Sequence, residues 1–392
     1  MEYPPKLEMR LSVEFIKPPS VVQKVFKNNQ KFTELRKSAS HYPMMIVIST
    51  VYPCNFGCPN CPYSENNSNL RAVYKDGGGD YLPQSLWNKI AEESGPYGTW
   101  LRCTGGGEPM MHPKMNEMIA YAKKLGCRVW LNTNGSLFGP NKVGREKLYN
   151  LINSEIDLIE FSMDAGDADT YQKVRPPLKG SKHDIHERWN NQVNNIKFAL
   201  ESRLSLGKKT RIVVSIIRQK LIDGKLENAI DFWSNKVGVD EVITRKFLSW
   251  DDNTSIDLTN SVDPNLYNIS NSVKNKKEPC VWPFERLNID TLGRVALCGQ
   301  DISFRTSKLF PNANEASVSE IWNGQTFSNY RQKHLEGDGS TLSPCNNCSA
   351  WKAGIRDWEH GWIKVLDKSA KNLHRVFKHE LGTEVEIYTP EM

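Results

Sequence analysis

Several features are missing from this chain, and each absence narrows what it can do. No run of eighteen apolar residues occurs in its 392 positions, which argues against a transmembrane helix. The opening residues, Met1-Glu2-Tyr3-Pro4-Pro5, carry no basic stretch followed by an apolar one, so no secretion signal is expected. There is no long Lys/Arg block. Lys+Arg 51 are set against Asp+Glu 45, a net charge of +6, and the densest cluster, Lys274, Lys276 and Lys277, reads as a solvated linker. Neither nucleic acid nor membrane is therefore indicated as a partner. No internal repeat or low-complexity tract stands out. A length of 392 residues suggests two domains, or one large domain with an appendage.

Cysteine, by contrast, is well represented. Nine cysteines without a secretion signal point to a reducing, cytoplasmic setting, where thiols bind metal or do chemistry more often than they pair. Three are spaced Cys54-x3-Cys58-x2-Cys61, and four more stand at Cys280, Cys298, Cys345 and Cys348. Three thiolates can hold three corners of a cubane iron–sulfur cluster, leaving one iron open to a ligand. A zinc knuckle is the competing reading. Such motifs usually supply a second Cys or His pair within about 12–20 residues. Here the next cysteine is Cys103, and no His lies between Cys61 and His112.

From Met44 the pattern alternates between strands and helices. Apolar, β-branched runs predict strands at Met45–Thr50, Thr99–Thr104, Arg128–Asn132, Leu158–Met163, Arg211–Ile217 and Glu241–Phe247. Helical spacing predicts helices over 84–94, Lys114–Leu125, Gly144–Ile152, Trp189–Leu206 and Leu226–Lys236. Such repeats imply a parallel sheet, whose ligand loops sit at the C-terminal ends of the strands. The cysteines, Gly105–Pro109, Asn132–Gly135 and Asp164 all fall at such ends. The expected organisation is an N-terminal extension over 1–43 with a helix at Val21–Ser38, a barrel over 44–250 and a linker over 251–279. A small second unit over 280–360 follows, then a C-terminal helix and tail over 361–392. In the second unit, Arg286–Asp290 and Arg294–Cys298 predict a β-hairpin, and Ser317-x-x-Glu320 predicts a capping box. Residues at three- and four-residue intervals predict the last helix, Gly361–Leu381.

The cysteine triad, followed by Gly105-Gly106-Gly107-Glu108-Pro109, resembles the radical S-adenosylmethionine (radical SAM) enzymes. That resemblance implies an α/β fold, a partial (β/α)6 TIM-type barrel. It implies a four-iron cluster on Cys54, Cys58 and Cys61 whose open iron takes S-adenosylmethionine. Carried over residue by residue, it also implies cofactor contacts from Tyr63, Gly106, Gly107, Glu108, Asn132, Asn134, Ser162, Asp164 and Arg175. Asn60 departs from the aromatic residue common before the third cysteine. Cys280-x17-Cys298 and Cys345-x2-Cys348, together with Ile321-Trp322-Asn323-Gly324 and Arg331, resemble the C-terminal SPASM extension. No cysteine follows Cys348, so the set is similar to the shortened twitch form with one auxiliary four-iron cluster, a zinc site being the alternative.

The expected activity is hydrogen abstraction from a small polar substrate, a sugar or aminocyclitol alcohol, giving oxidation or epimerisation with electron relay through the auxiliary cluster. A flavodoxin- or ferredoxin-type donor would supply the electron. Modification of a ribosomally made peptide is the alternative, ranked lower because residues 1–43 are short for a peptide-recognition domain. Cys103 is the candidate hydrogen donor, with a buried core thiol as its plainer meaning. Arg245, Lys246, Glu285 and Arg286 are candidate substrate contacts.

Overall fold

A computed structural model describes residues 41–59, 61–64, 79–178, 184–222, 224–246, 280 and 282–348. It also describes the short segments 359–363, 374–377 and 386–388. The expected helix at Val21–Ser38 and the linker over 251–279 lie outside the described residues.

Six parallel strands form the centre: β1 (Met45–Val51), β2 (Trp100–Gly106), β3 (Arg128–Thr133), β4 (Leu158–Ser162), β5 (Arg211–Arg218) and β6 (Glu241–Lys246). Each pairs with the next in chain order. Helices α1 (Gln84–Ser94), α2 (Met115–Lys124), α3 (Lys142–Asn153), α4 (Ala168–Val174), α5 (Ile185–Ser205) and α6 (Leu226–Asp231) supply the crossovers. Parallel neighbours require such connections. The sequence had not indicated α4, a seven-residue helix capped by Asp167, whose side chain accepts from the Thr170 amide. The result is the expected partial barrel.

Strand side chains alternate between two faces. Ile46, Ile48, Leu101, Cys103, Val129, Leu131, Ile159 and Phe161 join Trp87, Met118, Leu151 and Ile196 of the helices in the main core. The opposite face, the barrel interior, carries a small apolar floor of Met45, Trp130, Leu158, Val213 and Ile243. Register places Arg102 beside Trp130, and Glu160 beside Val213, on that same inner face.

The C-terminal unit extends this sheet. After α7 (Trp282–Glu285), β7 (Arg286–Ile289) pairs in parallel with β1, and β8 (Val295–Ala296) returns antiparallel, forming the predicted hairpin. Gly293 makes the turn at φ +74°, a backbone conformation that favours glycine. Helix α8 (Val318–Asn323) opens with the predicted capping box of Ser317 and Glu320, and α9 (Gln325–Glu336) follows.

The predicted helix Gly361–Leu381 is corrected. Glu359–Ile363 forms β9, antiparallel to β6, and His374–Phe377 forms β10. Glu386–Tyr388 forms β11, and the intervening residues lie outside the described set. The unpaired backbone of β6 is a strong partner for an incoming strand, and pairing with it overrides the helical spacing.

Candidate active site

The cysteine loop leaves β1 and is held from two sides. The Gly107 amide donates to the Val51 carbonyl at 2.8 Å, and the Glu108 amide to the Pro53 carbonyl at 3.0 Å. This contact is close enough to demand glycine: a Cβ on Gly107 would stand 1.8 Å from the Pro53 oxygen. On the other side the Gly57 amide donates to the Pro176 carbonyl at 2.9 Å, just beyond α4. Asn55 adds a third tie, accepting from Asn134 Nδ2 and donating to Ser136 Oγ, both at 2.8 Å. Asn55 and Thr133 lie inside the sequence motifs and Ser136 just beyond one, but none was a candidate contact, because their role depends on loops meeting in space.

The loop ends enclose an open cleft. Cys54, Cys58 and Cys61 line it, together with Gly106, Gly107, Glu108, Asn132, Asn134, Ser162, Arg175 and Tyr63. Asp164 sits behind the wall, at φ +52°. Its Oδ2 accepts from Arg175 Nε and Nη2 at 2.9 and 2.6 Å, and its Oδ1 from the Ile217 amide at 2.7 Å. Asp164 therefore orients Arg175.

Two of the expected cofactor contacts, Glu108 and Asn134, line the cleft and also tie its loops together. Glu108 Oε1 accepts from the Met110 amide at 3.0 Å and Thr133 Oγ1 at 2.6 Å, while Oε2 accepts from the Asn134 amide at 2.7 Å. The carboxylate thus ties the β2 loop to the β3 loop. Burial pushes its pKa up, and the three donors oppose that shift. The Asn134 amide group bonds Asn55 through nitrogen and Ser136 through oxygen, so it braces the loops. Asn132 differs: its oxygen accepts from Arg102 Nε at 2.9 Å, and no protein acceptor among the described residues takes its NH2 group.

The cysteines fit an iron–sulfur cluster. None of the nine is in a disulfide. Burial pushes the Cys54 and Cys61 thiols up to about 12, so a bound cation is what would hold them as thiolates. Backbone N–H groups of Phe56, Tyr63 and Ser64 point at these sulfurs, the interaction that tunes cluster potentials. Among the described residues no three His, Cys, Asp or Glu side chains stand close enough to share a single ion. The thiolates of a cubane each bind a separate iron and stand further apart. The second set is similar: Cys280, Cys298 and Cys348 are electrostatic neighbours, Cys298 and Cys345 flank Tyr330, and Trp282 and Gln300 amides reach the sulfurs.

Cys103, Arg245, Glu285 and Arg286 do not line the cleft. Cys103 is fully buried in the helix-side core, because β2 turns Arg102 and Thr104, and not Cys103, towards the interior. Arg245 pairs with Glu160 in the barrel interior. Lys246 ends β6 opposite Arg218. Glu285 and Arg286 are buried side by side where β7 joins β1, with the Arg286 guanidinium 4.3 Å from the Trp282 ring centroid. Burial raises Glu285 to about 7.

Comparison with known proteins agrees with this geometry. Residues 48–205 match the family model described as the radical SAM superfamily, and residues 280–349 match that of an iron–sulfur cluster-binding domain, SPASM. A tungsten-containing aldehyde ferredoxin oxidoreductase cofactor-modifying protein of Pyrococcus furiosus is 31% identical over 113 residues, 28% of each chain. PqqA peptide cyclase of Gluconobacter oxydans is 22% identical over 346 residues, 81% of this chain and 84% of the relative. The fold matches Streptococcus suis SuiB, solved with its precursor peptide SuiA. The TM-score is 0.54 at 15% identity, over 84% of this chain and 75% of that one. Peptide cyclases are thus among the relatives that span most of the chain. This overturns the expectation of a sugar or aminocyclitol alcohol as substrate, and of a small molecule as the partner. No helix among the described residues is long and apolar enough to cross a membrane.

Proposed function

The chain contains a radical SAM superfamily domain over residues 48–205 and a SPASM domain over residues 280–349, and from that premise we propose that it modifies a ribosomally made peptide by forming a ring or cross-link within it. It is a radical SAM enzyme, and its cofactors are S-adenosylmethionine and two four-iron clusters. The observation that carries the peptide reading is the alignment with PqqA peptide cyclases across about four fifths of both chains.

Cys54, Cys58 and Cys61 would hold the first cluster, and Cys280, Cys298, Cys345 and Cys348 the second. When bound, these groups supply one-electron cleavage of S-adenosylmethionine to a hydrogen-abstracting 5′-deoxyadenosyl radical, and an acceptor for the electron the peptide gives up. The chain's own side chains position the reactants. Arg175, held by Asp164, offers a planar fork suited to a carboxylate. Ser162 and Asn132 line the same cleft. Glu108 and Asn134 keep the loops from parting. Joining two peptide atoms in this way removes two hydrogens, one as an atom and one as a proton accompanied by the relayed electron.

The test is anaerobic reconstitution with dithionite and S-adenosylmethionine, offering synthetic peptides encoded by short reading frames beside the gene. The expected product is a peptide lighter by two hydrogens, formed together with 5′-deoxyadenosine. Cys58→Ala should abolish both. Untouched peptides beside a turned-over sugar or aminocyclitol alcohol would sink the proposal.

A further inference from the structure

Asn132 is the cleft residue whose carboxamide has a defined orientation and an uncommitted end. Its oxygen accepts from Arg102 Nε at 2.9 Å. A guanidinium carries donors only, so the amide cannot be turned round without setting donor against donor. The NH2 group therefore faces away from Arg102. Asn132 lines the cleft, and its amino group is not among the buried atoms lacking a partner. That group opens to the cleft. Asn134, two residues on, offers nothing comparable, because both ends of its amide are bonded to protein.

Arg102 is itself tightly held. Its guanidinium carbon stands 4.1 Å from the Trp130 ring centroid, and its Nη2 3.8 Å from Glu160 Oε2. That carboxylate oxygen also accepts from Trp130 Nε1 at 3.1 Å and Arg245 Nη2 at 3.0 Å. Four strands, β2, β3, β4 and β6, thus contribute to one buried polar assembly beneath the cleft floor.

We propose that Arg102 is a positioning residue: braced by Glu160 and Arg245, it holds the Asn132 carboxamide so that its NH2 donates to an acceptor atom of S-adenosylmethionine. The inference rests on the cofactor assignment above and is independent of which substrate is modified. It makes this point of the wall selective for an acceptor, since an unfulfilled donor there costs affinity.

The experiment is equilibrium dialysis of radiolabelled S-adenosylmethionine against the reconstituted, unreduced enzyme, with iron content measured for every variant. Asn132→Asp keeps a partner for Arg102 but removes the donor, and should raise the dissociation constant about tenfold or more. Arg102→Met should raise it several-fold, while Arg102→Lys, still a donor only, should stay near wild type. In the Asn132→Ala background, Arg102→Met should have no further effect, a coupling that a merely structural role would not produce. Equal losses in both backgrounds, or unchanged affinity in Asn132→Asp, would overturn the proposal. If Arg102→Met fails to retain iron, Asn132→Asp decides alone. A wild-type enzyme that did not bind S-adenosylmethionine would overturn the cofactor assignment and this inference with it.

Discussion

The Tyr52 hydroxyl donates to Asp290 Oδ2 at 3.2 Å, joining residues 238 positions apart. Tyr52 lies just before the cysteine loop, and its ring would stand 2.8 Å from a Cβ on Gly106. Asp290 closes the β7–β8 hairpin, accepting from the Leu292 and Arg294 amides and from Arg294 Nε. One fully buried carboxylate thus ties the SPASM hairpin to the first cluster loop. Tyr52→Phe removes one hydrogen bond to a charged group and should lower stability by about 1.5 kcal/mol. Denaturant midpoints on the reconstituted enzyme measure this, and an unchanged midpoint would show that the contact contributes nothing.

Gly107→Ala tests whether the glycines serve the loops as well as the ligand. The new methyl would collide with the Pro53 carbonyl at 1.8 Å, backbone against backbone, so the cysteine loop must move. Overpacking of this kind costs about 1–3 kcal/mol or more. Iron per chain should fall from about eight to about four, reflecting one four-iron cluster lost of two. Full iron content would count against the close approach.

Glu160 should give the protein a specific acid sensitivity. Burial raises its pKa, but Arg245, Arg102 and Ser215 outweigh that and bring it down from 4.5 to about 2. A depressed carboxylate stabilises the fold fully above its unfolded value, and the contribution fades as pH falls from about 4.5 to about 2. Two and a half units correspond to about 3 kcal/mol. The stability gap between wild type and Glu160→Gln should therefore be widest above pH 5 and shrink on acidification. A gap that stays constant with pH would refute the linkage.

Cys103→Ala should leave the product unchanged. Its thiol lies in the helix-side core, away from the cleft, so the substitution removes packing and no chemistry. A stability loss of about 1 kcal/mol is expected. Chromatography of the reaction against an authentic wild-type product decides it. An altered product would restore Cys103 as a hydrogen donor.

The shortness of residues 1–43 favours a small molecule only if one segment must recognise a peptide, and the alignment with PqqA peptide cyclases runs against that expectation. A peptide can be held by surfaces assembled from many segments, and no single stretch of sequence announces them. The predicted C-terminal helix failed for a related reason, since its spacing was real but the free edge of β6 lay far away in sequence.

Cysteine spacing, the glycine run and the strand–helix alternation are local properties, and residue type with short-range geometry was enough to determine the parallel sheet and the loops that carry the site, and to point to the proposed cluster ligands. Tertiary structure alone decided which polar atoms remain for a ligand. A strand's two faces cannot be told apart until the barrel curves, which is why Cys103 turned outward and Arg102 inward. Whether a carboxylate or amide is spent depends on donors brought in from other strands. That is why Glu108 and Asn134 became braces while Asn132 kept a free hand.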